Sequence, residues 1–243
     1  MNNLINFSSI QRPPAYSDKQ ICDPSQLEGR VVPALEWLVD GLIPAGKVIL
    51  FTGDGGLGKS LLMQQLCIAT ALGNDWLGIS TQKCKSFALF CEDDNEELHR
   101  RQKDICEHTW TPMTDLWKMR WLSGVGADNT LMTFDQSSGS GTLTPLFYEL
   151  MKFFRHFKPG LVVIDTLADT FGGNEIIRTQ VRTFINGCLG RICQEIGSTV
   201  ILCGHPSRAG MSSGDGYSGS TAWNNSVRAR LYLTRPDDDD VDE

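Results

Sequence analysis

The stretch Gly53-Asp54-Gly55-Gly56-Leu57-Gly58-Lys59-Ser60 constrains this chain more than any other. It follows a purely apolar run, Val48-Ile49-Leu50-Phe51, and opens a segment, Lys59 to Leu72, in which Leu62, Leu66 and Ala69 recur at helical spacing. A glycine-rich loop between a buried strand and a helix, ending in Gly-Lys-Ser, is built to cradle phosphate. The glycines let the backbone approach a pyrophosphate closely, so that several N–H groups and a helix N-terminus face its charge. Lys59 then reaches the β- and γ-phosphates, and the Ser60 hydroxyl is placed to ligate Mg²⁺. The nucleotide-binding residues are expected to run from Gly53 through Ser60 to Leu61. No Asn-Lys-x-Asp sequence is present to specify guanine, so ATP is the expected nucleotide.

The rest of the chain alternates in the same way. Phe87–Cys91, Leu161–Ile164, Thr199–Cys203 and Arg228–Leu233 read as further strands. Helical segments lie over Asn95–Cys106, over Leu143–Phe154 up to the Lys158-Pro159-Gly160 break, and over Ile177–Ile196 up to Gly197. Ser123–Gly141, rich in Gly, Ser and Asp, is expected to be irregular. Strands apolar on both faces and interleaved with helices predict an α/β fold: a mostly parallel twisted sheet with helices on both faces. Ligands of such sheets bind beyond the carboxyl ends of the strands, and the candidate residues are expected to gather there.

Two carboxylates follow strands. Asp165 ends the Leu161–Ile164 strand, where a rigid carboxylate beside the phosphate loop orients Mg²⁺, usually through water. Glu92 follows Phe87–Cys91 and opens Glu92-Asp93-Asp94; a carboxylate there can deprotonate an attacking water, or merely begin a helix. Asp93 and Asp94 read as helix N-terminal residues. His205 follows Thr199–Cys203 and is placed either to sense a γ-phosphate or to sit in a solvated turn.

Charge bounds the partners. The net charge is −7, yet the last seven residues carry six of the 29 acidic groups. The remainder is nearly balanced and has no broad basic surface, which leaves room for a small basic channel but not for a coat of nucleic acid. The eight cysteines form no Cys-x-x-Cys pair and no zinc-spaced cluster, and read as reduced, structural thiols. No apolar run approaches membrane-spanning length, so a cytoplasmic protein is expected. Residues 1–30, polar and containing Pro13-Pro14 and Pro24, predict an N-terminal arm; 31–234 the folded domain; 235–243 an acidic tail.

Taken in order, Trp37-Leu38-Val39-Asp40-Gly41-Leu42-Ile43-Pro44, the phosphate loop, Phe90-Cys91-Glu92-Asp93-Asp94, Val163-Ile164-Asp165-Thr166-Leu167, Leu202-Cys203-Gly204-His205 and Gly219 to Arg228 resemble the RecA-superfamily P-loop ATPases related to the plasmid replicative helicase RepA. The resemblance spans about Val31 to Thr234. It implies a six-membered ring, acting in phage or plasmid replication as a helicase or translocase on single-stranded DNA, with ATP sites between subunits. It assigns Glu92 as the catalytic glutamate, Asp165 as the Walker B aspartate and His205 as the γ-phosphate sensor. Arg228 matches the arginine that reaches into the neighbouring subunit's site, with Arg230 as a competitor. Pro206–Tyr217 resembles the loop that lines the ring channel and Phe171–Arg178 is a second candidate; neither has interleaved basic and aromatic residues, and plain loops are the alternative for both. A RecA-like ATPase that regulates or assembles a partner complex without unwinding is the other function these motifs allow.

Overall fold

The computed structural model describes residues 21–205 and 221–235. Most of the expected arm, the loop Pro206–Tyr217 and the acidic tail from Asp237 lie outside the described residues. The described residues up to Leu35 belong to a unit of their own. In it Asp23 caps a 3₁₀ turn, Pro24–Leu27, accepting from the Ser25 N–H at 3.0 Å.

The second unit opens with a short antiparallel pair, β1 (Trp37–Val39) and β2 (Ile43–Pro44). Then follow β3 (Val48–Gly53), α1 (Lys59–Leu72), β4 (Ser86–Phe90), α2 (Asn95–His108) and β5 (Met119–Ser123). A small sheet is made by β6 (Met132–Phe134), β7 (Gly141–Leu143) and, later, β9 (Phe171–Gly172). Between them come α3 (Pro145–Phe157), β8 (Leu161–Asp165) and α4 (Leu167–Thr170). The last elements are α5 (Arg178–Thr183), α6 (Gly190–Ile196), β10 (Thr199–Gly204), α7 (Thr221–Ser226) and β11 (Ala229–Leu233).

Six strands form the central sheet in the order β11-β3-β10-β8-β4-β5, and every neighbouring pair is parallel. This is the RecA-like α/β core expected from the sequence, with one strand, β10, between the phosphate-loop strand and the Asp165 strand. Its two faces follow from the two-residue period of a strand. Val48, Leu50, Phe87, Leu89, Val162, Ile164, Val200 and Leu202 point to one side and pack against α3, α5, α6 and Trp223 of α7. Ile49, Phe51, Ala88, Phe90, Leu161, Val163, Ile201 and Cys203 point to the other, against α1, α2, β1 and β2. Burial of each large side chain contributes about 1.5–3 kcal/mol before chain entropy is set against it.

The structure corrects or adds to the expectations in four places. The edge strand β5 was not legible, because its Met-Arg-Trp-Leu-Ser alternates between buried and exposed residues and carries Arg120 on the open side. The stretch Ser123–Gly141 is not wholly irregular: Met132 and Leu131 are core residues, and Met132–Phe134 pairs with both β7 and β9. The helix toward Ile196 contains a π-helical turn, Phe184–Leu189, whose wider pitch lets Phe184 and Leu189, five residues apart, share the buried face. Finally, Phe171 is no loop aromatic. It is 8% exposed, with ring centroids 5.5, 5.3 and 5.1 Å from Phe134, Phe184 and Trp223, so the candidate channel loop shrinks to the residues after Gly172.

All eight cysteines are free, and five of them (Cys67, Cys91, Cys106, Cys188 and Cys203) are buried. Among the described residues no helix is long and apolar enough to cross a membrane.

Candidate nucleotide site

The phosphate loop hangs between the carboxyl end of β3 and the first turn of α1, and its glycines serve different ends. The β3–β11 register sets Gly53 opposite Leu233, so close that a Cβ on Gly53 would lie 2.8 Å from the Leu233 carbonyl oxygen. Gly53 is therefore required by packing. Gly56 and Gly58 take φ of 73° and 89°, which side chains disfavour. Gly58 caps α1 and offers no side-chain acceptor to its first N–H groups, which are left for an anion.

Lys59, only 6% exposed, folds back onto this loop. Its Nζ donates to the carbonyl oxygens of Gly53 (2.7 Å) and Asp54 (2.8 Å) and lies 3.4 Å from Nδ1 of His205. Burial holds the ammonium below its ordinary pKa of 10.5, against an opposing pull chiefly from Asp165. A lysine satisfied by two neutral carbonyls exchanges them readily for phosphate oxygens, which are stronger acceptors.

Asp165 is the last residue of β8 and is 3% exposed. Burial pushes its carboxyl above the usual 3.8; a hydrogen bond from Ser60 and the charge of Lys59 oppose the rise, while Glu92 and Asp93 add to it. One oxygen, Oδ1, is buried with no hydrogen-bond partner among the described residues. A buried carboxylate with an unused acceptor beside a serine hydroxyl fits a divalent cation. No three His, Cys, Asp or Glu among the described residues converge as a complete metal site. Mg²⁺ takes one or two protein ligands and completes its shell with water and phosphate, a set that the Asp165 carboxylate and the Ser60 hydroxyl bonded to it would match.

Glu92 lies two residues beyond the end of β4, which stops at Phe90, one residue short of the strand expected over Phe87–Cys91. The structure separates it from its acidic neighbours. Asp94 is the N-cap of α2, accepting from the Glu97 N–H at 2.7 Å. Asp93 is gripped by Arg101, Nη1 to Oδ2 at 2.6 Å and Nη2 to Oδ1 at 3.0 Å. Glu92 is left facing a cavity of about 350 Å³ whose wall also includes Gly56, Lys59, Asp165 and His205. A larger and more apolar cavity, about 500 Å³, lies between α1 and α2. It shares Leu61 and Arg101 with the first but contains none of the loop glycines, Glu92 or Asp165, so the chemistry belongs to the smaller one.

Arg228 stands apart from the residues that line this cavity. Its backbone N–H donates to the Val48 carbonyl at 3.1 Å, and Ala229 pairs with Ile49. Arg228 therefore stands at the amino edge of the sheet, five residues along β11 from the level of Gly53, or about 16 Å. It cannot serve the phosphate loop of its own chain. Arg101, which does line the cavity, was not singled out from sequence. Its pairing with Glu97, i to i+4 on a helix, was legible; its pairing with Asp93, before the helix begins, was not.

A strand–loop–helix phosphate cradle, a buried cation-ready aspartate and a free glutamate now share one cavity, and a family model described as an AAA domain matches residues 16–211. The chain belongs to this family of P-loop ATPases. No curated protein matches it. Membership in the AAA family accounts for the nucleotide-binding half of the cavity: the loop from Gly53 to Leu61, Lys59 and Asp165 all fall within the matched residues.

Proposed function

We propose that this ATPase is a RecA-like motor that hydrolyses ATP at an interface between copies of itself, as a ring-forming DNA helicase or translocase in phage or plasmid replication. The observation that carries the reading is the placement of the arginines. Hydrolysis benefits from a guanidinium that stabilises charge on the transferring phosphoryl group. Among the described residues the cavity is lined by one arginine, Arg101, already committed to Asp93 and Glu97. Arg228 is exposed at the opposite edge, out of reach of its own chain's phosphate loop, which supports a role at a neighbouring subunit's site.

The distribution of charge along the sheet supports head-to-tail contact. Lys47, Lys85, Lys118 and Arg228 immediately precede β3, β4, β5 and β11, and Lys158 caps α3 shortly before β8. The carboxyl edge carries Asp54, Glu92, Asp93, Asp165 and Asp169, against Lys59 and Arg101. A basic edge set against a mainly acidic one favours heterologous association, which forms a ring when its rotation closes.

The roles follow from the positions. The loop N–H groups and Lys59 hold the β- and γ-phosphates. Ser60 and Asp165 hold Mg²⁺, which when bound neutralises charge on the phosphate oxygens. Glu92 orients a water and takes its proton. His205, beside Lys59, registers whether a γ-phosphate is present. Arg228 of a neighbouring subunit completes the site.

DNA as the track is supported by the ordered motif resemblance. The burial of Phe171 favours the other reading, an ATPase that assembles or regulates a partner without unwinding, since it removes an aromatic from one candidate channel loop.

Mixing tests the shared site. Arg228→Ala and Lys59→Ala proteins are each expected to be inactive, and together to regain ATPase activity at interfaces that pair an intact loop with an intact arginine. Light scattering first establishes that subunits assemble and exchange. Full turnover by a monomer, or no rescue at any ratio, overturns the ring. Phosphate release with and without single-stranded DNA, followed by strand displacement on a forked duplex, separates motor from regulator.

A further inference from the structure

We propose that Arg101 is a positioning residue for Glu92, acting through Asp93; the inference rests on the ATPase reading of the cavity. The turn from Cys91 to Asp94 is held at each residue except Glu92. Before it, the Cys91 N–H donates to the main-chain oxygen of Asp165 at 2.6 Å, tying the turn to the cation-binding strand. After it, the Asp93 main-chain oxygen accepts from Ser123 Oγ, at the end of β5, at 2.8 Å. The Asp93 carboxylate is forked by both terminal nitrogens of Arg101. Asp94 is fixed as the α2 cap.

Arg101 is itself fixed. Its Nε lies 2.8 Å from Glu97 Oε1, one turn back along α2. The Arg101 and Asp93 side chains are only 28% and 17% exposed, so solvent competes weakly for the pair. A planar guanidinium holding both carboxylate oxygens resists rotation as well as displacement, which a single-point contact does not. The fork thereby sets the direction in which the chain leaves Glu92. Asp93 lines the same cavity but is held by Arg101, and Asp94 caps α2, so that Glu92 is the one acid of the three without a side-chain partner among the described residues. Misplacing a catalytic group by about 1 Å can cost about 10²-fold in rate, so a small loosening of this turn is expected to be visible.

The test keeps the charge and removes the fork. Arg101→Lys is expected to lower kcat for ATP by about tenfold or more while the Kd for Mg-ATP, read with a fluorescent nucleotide, stays within about threefold. Asp93→Asn, which breaks the fork from the other side, is expected to show the same split. Thermal midpoints of both variants show that folded protein is being assayed. In a Glu92→Gln background, Arg101→Lys is expected to slow the residual rate no further, because no base remains to be positioned. Unchanged kcat in both variants overturns the proposal. So does a loss confined to Kd, the mark of direct phosphate binding, or an equal slowing in the Glu92→Gln background. If the wild-type chain hydrolyses no ATP in this assay, the ATPase reading fails and the proposal fails with it; if wild type turns over normally, any of the other outcomes counts against Arg101 alone.

Discussion

Replacing Gly53 by alanine isolates what the packing of the phosphate loop demands. The backbone at Gly53 is not in the left-handed region, so the substitution carries no conformational penalty of its own. The cost comes from two contacts: an added Cβ would sit 2.8 Å from the Leu233 carbonyl oxygen and 2.9 Å from its Cβ. Both atoms belong to the backbone or root of a strand in register with β3, so neither can swing aside like the tip of a long side chain. Overpacking of this kind costs about 1–3 kcal/mol. In a chain of this size each kcal/mol moves the melting midpoint about 2–4 °C, which gives a drop of about 2–12 °C. Gly55→Ala is the control from the same motif. Among the described residues its Cβ would meet nothing nearer than His205 Cε1 at 4.0 Å, so no loss of stability is expected. Urea unfolding of both variants against wild type, with m-values compared, reads the difference directly. If Gly53→Ala melts with wild type, or Gly55→Ala loses as much as Gly53→Ala, the close approach of β11 is not what requires the glycine.

Other expectations follow from single residues. Glu92→Gln should bind Mg-ATP nearly as well as wild type and hydrolyse it about 10²–10⁴-fold more slowly, measured by single-turnover phosphate release; normal turnover would move the role of base to Asp93. Asp165→Asn should abolish Mg²⁺-dependent hydrolysis yet leave the nucleotide-free protein as stable as wild type, or more so, at neutral pH. The sign follows from burial: the folded state raises this carboxyl's pKa, so the stability it confers is complete below the unfolded value of 3.8 and lost as pH rises through the folded value. The advantage of asparagine should accordingly shrink as pH is lowered, and an advantage that grows would refute the assignment. Thiol titration of the native protein at mildly alkaline pH should find one fast-reacting cysteine, Cys22, which is exposed. Cys67 and Cys91 are pushed up to about 12, and Cys84 and Cys193 to about 11, by burial, and should react only on unfolding.

The sequence alone determined the parts of this protein whose chemistry is local. A strand, a glycine loop and a helix are contiguous, so Gly53 to Leu61 announced both their structure and their ligand. Asp165 was legible because an acid that ends a fully apolar run has nowhere to go but the sheet edge. The core strands were equally plain, since a strand buried on both faces must be apolar at every position. The tertiary structure decided whatever depended on residues distant in sequence. It distinguished three consecutive acids by their partners, giving Asp94 to a helix end, Asp93 to Arg101 and Glu92 to the cavity. It put Phe171 in the core, because the other rings around it come from Phe134, Phe184 and Trp223. It also showed how far Arg228, the first residue of its expected strand, stands from the phosphate loop of its own chain: in a parallel sheet the beginning of one strand and the end of its neighbour lie on opposite sides of the domain, and which strands are neighbours depends on residues distant in sequence.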